Sequence, residues 1–241
     1  MIKAFFLAIS YMTRVPVPQV VEVEPLDLAR AALFYPLAGL LIGIVLMLPV
    51  LVFSGSSPFL LAAIVTVTWA AITGSLHLTG VGGSADAWLG GRGDEEKTHK
   101  ILKDPVIGAA GVTAISAVMI LKFTLTLVLL EQGYLWSILF APVFGRSLIL
   151  LLFLTTPYVR AEGRTSAVST YLPRDLARLV LAVCFLLAVV ISLKGLLLLL
   201  AGYWLMRRLM MQRLQGCTGE TAGASVEIGE VFWLLGVALQ F

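Results

Sequence analysis

The feature that most limits what this chain can fold into is its hydropathy pattern. Apolar runs about as long as a bilayer is thick alternate with shorter charged segments. A helix needs about 20 apolar residues to cross a hydrocarbon core. Such runs occupy 32–53, 58–80, 106–130 and 134–156. The stretch 176–206 is too long for one crossing, and Lys194-Gly195 divides it into two short ones. A last run, 228–241, is short, and its start can reach back to about 222. The expectation is an all-α, polytopic transmembrane bundle of six to seven spans, forming a single domain over 1–241. Composition agrees: 59% of the residues are hydrophobic and 13% charged, whereas soluble domains are about 45–50% apolar. The polar residues are too few to cover a soluble globule.

The charges sort by side. Segments 1–31, 81–105, 157–178 and 207–230 hold 14 of the 17 Lys and Arg residues and 13 of the 14 Asp and Glu residues. The connections near 54–57, 131–133 and 194–195 are short and nearly bare. Positive loops stay cytoplasmic, so the N-terminus and the three long loops are expected on that side. Transporters place polar groups near the midplane; here almost all the chemistry lies on one face. That argues against transport and for work at the cytoplasmic surface, within a lipid bilayer. A net charge of +3 is too small an excess to argue for nucleic acid. Cys184 and Cys217 form no disulfide framework. The opening MIKAFFLAISYMTR reads as a retained interfacial segment.

Two cations interrupt the apolar runs, Lys122 in the third and Arg146 in the fourth. Intramembrane charges point first to function, and a buried ion pair is the competing structural reading. Gly39 and Gly43, and again Gly219 and Gly223, are spaced for close helix packing.

The stretch GSLHLTGVGGSADAWLGG, 74–91, leaves the second run for the cytoplasm. On a helix, positions 79, 83 and 86 share one face. They are Thr79, Gly83 and Asp86, with His77 two residues earlier. Three carboxylates there would suit Mg²⁺, which takes a few protein oxygens and completes its shell with phosphate and water; one is present. Asp104 and the carboxylates Glu220, Glu227 and Glu230 of GCTGETAGASVEIGE lie in other charged segments that can converge on it. Glycines let backbone N–H groups approach phosphate oxygens. Arg146, Arg160 and Arg164 offer bidentate phosphate clamps. Carboxylates, arginines and glycine-rich turns together suggest phosphoryl or nucleotidyl transfer.

The series FFLAISYMTRVPVP, FYPLAGLLIG, HLTGVGGSADAWLGG, ILKDPVIGAAG, LKF, GRS, AEG and GCTGETAGASVEIGE, in this order along the whole chain, resembles the cobalamin synthase (adenosylcobinamide-GDP ribazoletransferase) family. The resemblance implies an enzyme of the inner membrane. It would join adenosylcobinamide-GDP to α-ribazole, or its 5′-phosphate, release GMP and require Mg²⁺. Other late-pathway enzymes are expected partners. It implies catalytic roles for His77, Asp86, Asp104 and Arg146. Substrate would be bound by Lys103, Lys122, Arg160, Glu162, Arg164, Gly219 and Gly223. Metal would be held by Asp86, Glu220 and Glu227. The family pattern has aspartates where this chain has Thr79 and Gly83, and an arginine-rich run where it has Lys103-Asp104-Pro105-Val106. Two readings stay open: an active enzyme whose metal rests on the remaining carboxylates and the substrate phosphates, or the same scaffold binding substrate or partners without turnover.

Overall fold

The computed structural model describes residues 1–160 and 164–239. Twelve helices are present among them: α1 (Ile2–Met12), α2 (Pro25–Ala32), α3 (Tyr35–Val52), α4 (Pro58–Thr73), α5 (Leu76–Gly91), α6 (Glu95–Lys103), α7 (Ala109–Glu131), α8 (Leu135–Thr155), α9 (Arg164–Tyr171), α10 (Arg174–Ile191), α11 (Leu193–Leu214) and α12 (Gly219–Ala238). The helix starts follow local chemistry. Pro25 opens α2, where Glu24 and Asp27 form a reciprocal capping box. Ser57 accepts from the Leu60 N–H ahead of Pro58. Ser192 ends α10 and caps α11 by accepting from the Gly195 N–H at 2.8 Å. The division of 176–206 therefore falls two residues before Lys194-Gly195.

Four helices, α3, α7, α8 and α12, are long and apolar enough to cross a membrane, and α4 with α5 makes a fifth if the bent pair counts as one. The chain is an integral membrane protein built from helices, with fewer qualifying spans than the six to seven expected. Two causes account for the difference. The second run breaks at Gly74 and Ser75, both in the left-handed region, and α4 and α5 meet at 88°. The Arg14 side chain packs on Gly74, and the Arg14 N–H donates to the Ile72 carbonyl at 2.7 Å, which holds the corner. The pair α10 and α11 carries Arg174, Asp175 and Arg178 at one end and Arg207, Arg208 and Arg213 at the other, too much charge for a span of ordinary composition.

Two further boundaries moved. The first run starts as a separate helix, because α2 ends at Ala32 and α3 begins at Tyr35. The last begins at Gly219, so Glu220, Glu227 and Glu230 all lie on α12 rather than in a loop. Helices in lipid associate by packing rather than by water exclusion, and glycines decide where backbones touch. A methyl on Gly43 would overlap the Leu139 carbonyl, and one on Gly39 the Pro142 carbonyl, so α3 lies directly on α8. Gly80 meets the Glu220 carbonyl in the same way, which joins α5 to α12. The outer faces keep large apolar side chains exposed, including Ile44, Leu48, Ile120 and Leu186.

Candidate active site

A cavity of about 380 Å³ opens among α1, α2, α3, α5, α8, α9 and the first turns of α12. His77, Thr79 and Gly80 line one wall, Gly219, Glu220 and Gly223 another, and Thr165 and Val168 of α9 a third. The α12 wall is shaped by its cap. Thr218 accepts from the Thr221 N–H, and Thr221 accepts from the Thr218 N–H at 2.9 Å. The Gly219 and Glu220 N–H groups are thereby presented at a helix N-terminus, the end that favours anions.

A short backbone zipper delivers Arg160. The Val159 N–H donates to the Cys217 carbonyl (3.0 Å) and the Cys217 N–H to the Pro157 carbonyl (2.8 Å). This pins the exit of α8 to the entry of α12. Arg160 then donates to Glu220 Oε1 at 2.7 Å. Among the described residues, Glu220 Oε2 and Arg160 Nε and Nη2 are buried without hydrogen-bond partners. Buried charged groups are ordinarily saturated, so these open valences mark where a ligand is expected. Beside them, burial raises the Tyr158 phenol against the opposing hydrogen bond to Thr165. Burial also pushes the Cys217 thiol up to about 12, so it stays protonated and inert.

His77 is 4% exposed, lines the same cavity, and has no partner on Nδ1 among the described residues. A methyl added to Gly223 would come into van der Waals contact with the His77 Cα at 3.5 Å, so α12 lies beside it. Thr79 donates to the Leu76 carbonyl at 2.7 Å and lines the cavity. At Gly83 a side chain would meet nothing within 4 Å. Both positions where the resemblance expects carboxylates therefore have room for one.

The remaining residues divide among other places. Asp86 caps α7 from α5: its Oδ2 accepts from the Gly108 N–H at 2.7 Å and its Oδ1 from the Gly111 N–H at 2.9 Å. Asp104 closes a local turn by accepting from the Val106 N–H, next to Lys103 at the end of α6; neither lines the cavity. Arg164 opens α9, and Glu162 lies outside the described residues. Lys122, Arg146 and Glu227 form a buried cluster with Glu230. Lys122 donates to Glu227 at 2.5 Å and also to Glu230, which pairs with Arg146 in turn. The Lys122 ammonium lies 4.4 Å from the Trp69 ring centre. Two cations and two anions cancel, the arrangement that lets charge persist in a membrane. Glu227 is thus committed to Lys122 and lies apart from Glu220 and Asp86. Among the described residues, no three His, Cys, Asp or Glu side chains gather as a metal-holding group.

Glu230 and Trp69 were missed as members of this cluster. The signal for Glu230 was available: two cations inside apolar runs require two anions, and Glu227 and Glu230 fall on one helical face.

The model of the cobalamin-5-phosphate synthase family matches residues 4–238. An adenosylcobinamide-GDP ribazoletransferase of Stutzerimonas stutzeri is 42% identical over 237 residues, 97% of each chain. One of Pseudomonas fluorescens is 43% identical over 239 residues, 98% of each chain. No solved structure matches. With matching sequence along nearly its whole length, the chain belongs to the cobalamin-5-phosphate synthase family.

Proposed function

We infer that the chain joins adenosylcobinamide-GDP to α-ribazole, or its 5′-phosphate, and releases GMP, the last step in assembling the nucleotide loop of cobalamin. The activity follows from full-length identity to enzymes that carry this name. The observation that ties it to a place is the pair of open valences on Glu220 and Arg160 at the α12 N-terminus. The Arg160 guanidinium and the helix-end N–H groups suit a pyrophosphate, and the anionic Glu220 oxygen suits a cation beside it.

In the reaction, a ribose hydroxyl oxygen that is free in both α-ribazole and its 5′-phosphate attacks the cobinamide-bound phosphorus, the bond to the bridging oxygen breaks, and GMP leaves with that oxygen. Arg160 and the Gly219 and Glu220 N–H groups neutralise charge on the phosphates, the largest task in phosphoryl transfer. His77, which lines the cavity, is the group assigned to accept the hydroxyl proton. α9 adds Thr165 and Val168 to the lining.

Mg²⁺ is part of this proposal. Glu220 lines the cavity and its Oε2 has no hydrogen-bond partner; a carboxylate of this kind suits an ion that keeps water and phosphate ligands and needs one or two carboxylates from protein. When bound, the ion would supply charge neutralisation at the phosphate oxygens. Asp86 and Glu227 already have partners and are left out of this assignment. The charge-rich loops that frame the cavity support a cytoplasmic active face in the inner membrane. Incubating purified protein in lipid nanodiscs with adenosylcobinamide-GDP, α-ribazole and Mg²⁺ should give equal amounts of GMP and the cobalamin product by mass spectrometry. Absence of both, with substrate bound, would instead support the scaffold reading.

A further inference from the structure

A second cavity, of about 210 Å³, is a cleft between α7 and α11, with α5 and α12 as its floor. α7 and α11 both border it but hardly touch each other, so the cleft opens outward between them. Both helices keep large apolar side chains exposed, Val112 and Ile120 on α7 and Leu205 and Leu209 on α11. In a membrane protein, surface of this kind is covered by lipid. α7 borders the cleft at Ala114, a little over one turn from its start at Ala109, so the cleft lies just inside one end of a helix able to cross the membrane.

The lining is almost wholly apolar, with Trp88, Met206, Leu209 and Met210 as its largest side chains, and no carboxylate or cation is part of it. A ligand with polar edges would lose its hydrogen bonds there, whereas a hydrocarbon chain would lose nothing. The charge lies at one end. Met206, Leu209 and Met210 share one face of α11, and Arg213 continues that stripe by one turn. Its guanidinium lies 5.8 Å from the Trp88 ring centre and donates to Thr98 Oγ1 at 3.2 Å. Among the described residues it has no carboxylate partner. α6 caps the same end, where Ile101 and Leu102 pack with Trp88, Ala87 and Leu214. The last turn of α6 brings Lys100 and Lys103, both exposed, while its acidic residues stay in the first turn. Arg207 and Arg208 fall off the stripe. Arg207 is spent on the Thr155 carbonyl at 2.8 Å, and Arg208 lies over Trp204 on the far face of α11.

An apolar cleft that ends at an unpaired guanidinium matches an amphiphile with an anionic head. In a bilayer, that amphiphile is an anionic phospholipid. We propose that the cleft seats an acyl chain of an anionic phospholipid of the phosphatidylglycerol class, with the lipid phosphate at Arg213. Arg213 supplies directed N–H donors, and Lys100 and Lys103 add attraction for the head group. The chain lies behind α5 and α12, the two helices whose other faces wall the first cavity.

The test uses full-length protein in nanodiscs and lipids brominated on the acyl chain, which quench tryptophan on contact. Subtracting the quenching of Trp88→Phe isolates the signal of Trp88. Brominated phosphatidylglycerol should quench Trp88 at about fivefold lower mole fraction than brominated phosphatidylcholine. Arg213→Gln should remove that preference, and Arg213→Lys should keep most of it. Arg208→Gln, on the far face of the same helix, should leave it unaltered. Ala114→Phe, which fills the cleft from α7, should weaken quenching by both lipids. Equal quenching by the two lipids, a preference that survives Arg213→Gln, or one lost equally in Arg208→Gln overturns the proposal. So does quenching that Ala114→Phe leaves unaltered.

Discussion

Glu220 and Glu227 sit two turns apart on α12 and meet opposite fates. Glu227 is sealed among helices, 1% exposed, with its charge answered by Lys122. Glu220 stands at the cavity with one oxygen on Arg160 and the other open. The same side chain serves architecture in one place and offers chemistry in the other. What separates them is saturation: a membrane interior tolerates only cancelled charge, while a site for a charged substrate must leave valences unfilled until the substrate arrives.

The contrast breaks most severely at the closed cluster. Glu230→Ala strands Arg146 and leaves Lys122 with Glu227 alone, and loss of one partner from a buried network costs about 3–5 kcal/mol. The expected outcome is a large drop in thermal stability in detergent, partly recovered when Arg146→Met is added. No recovery in the double variant would mean that the cluster does more than balance charge. At the open end the expectation reverses. Glu220→Gln should keep the melting temperature and lower the rate of GMP release by about 100-fold, the scale for removing one group that stabilises a transition state. A collapsed fold would place Glu220 with Glu227.

Asp86 sharpens the comparison from the middle. Both its oxygens are bound to backbone N–H groups, so it counts as saturated. Asp86→Ala should cost about 1 kcal/mol of stability, as loss of a helix cap does, and leave the Mg²⁺ concentration for half-maximal activity unmoved. A strong shift in that concentration would return Asp86 to the metal site. The smallest effect belongs to the surface. The hydrogen bond from Lys3 holds the Asp27 carboxyl below its ordinary 3.8. A depressed carboxylate contributes stability above its unfolded value and loses it as pH falls through the folded one. Native protein and Asp27→Asn should therefore differ slightly in melting temperature near neutrality and converge as pH drops below 3.8. A difference that persists in acid would rule the ion pair out as its source.

Much of the fold was legible in the chain itself. Long apolar runs are local and one-dimensional, and they set the helical membrane class. Gly39 and Gly43 were readable as a packing face because the spacing of small residues is itself the signal. The bend at Gly74-Ser75 was not, since one glycine in an apolar run fits a straight helix until Arg14 is found against it. The site was half legible. His77, Gly219, Glu220 and Gly223 do meet at one cavity, whereas Asp86, Asp104 and Glu227 go elsewhere, because a carboxylate's spacing does not reveal which N–H or cation will claim it.

By itself, then, the sequence determined an α-helical membrane enzyme of one family. Those properties depend on composition and on order along the chain. Only the tertiary structure decided which charges cancel and which stay open, because pairing depends on which helices touch. Lys122 finds its carboxylates more than 100 positions away on α12. The glycine contact that brings α5 against α12 is what places His77 and Glu220 at one cavity.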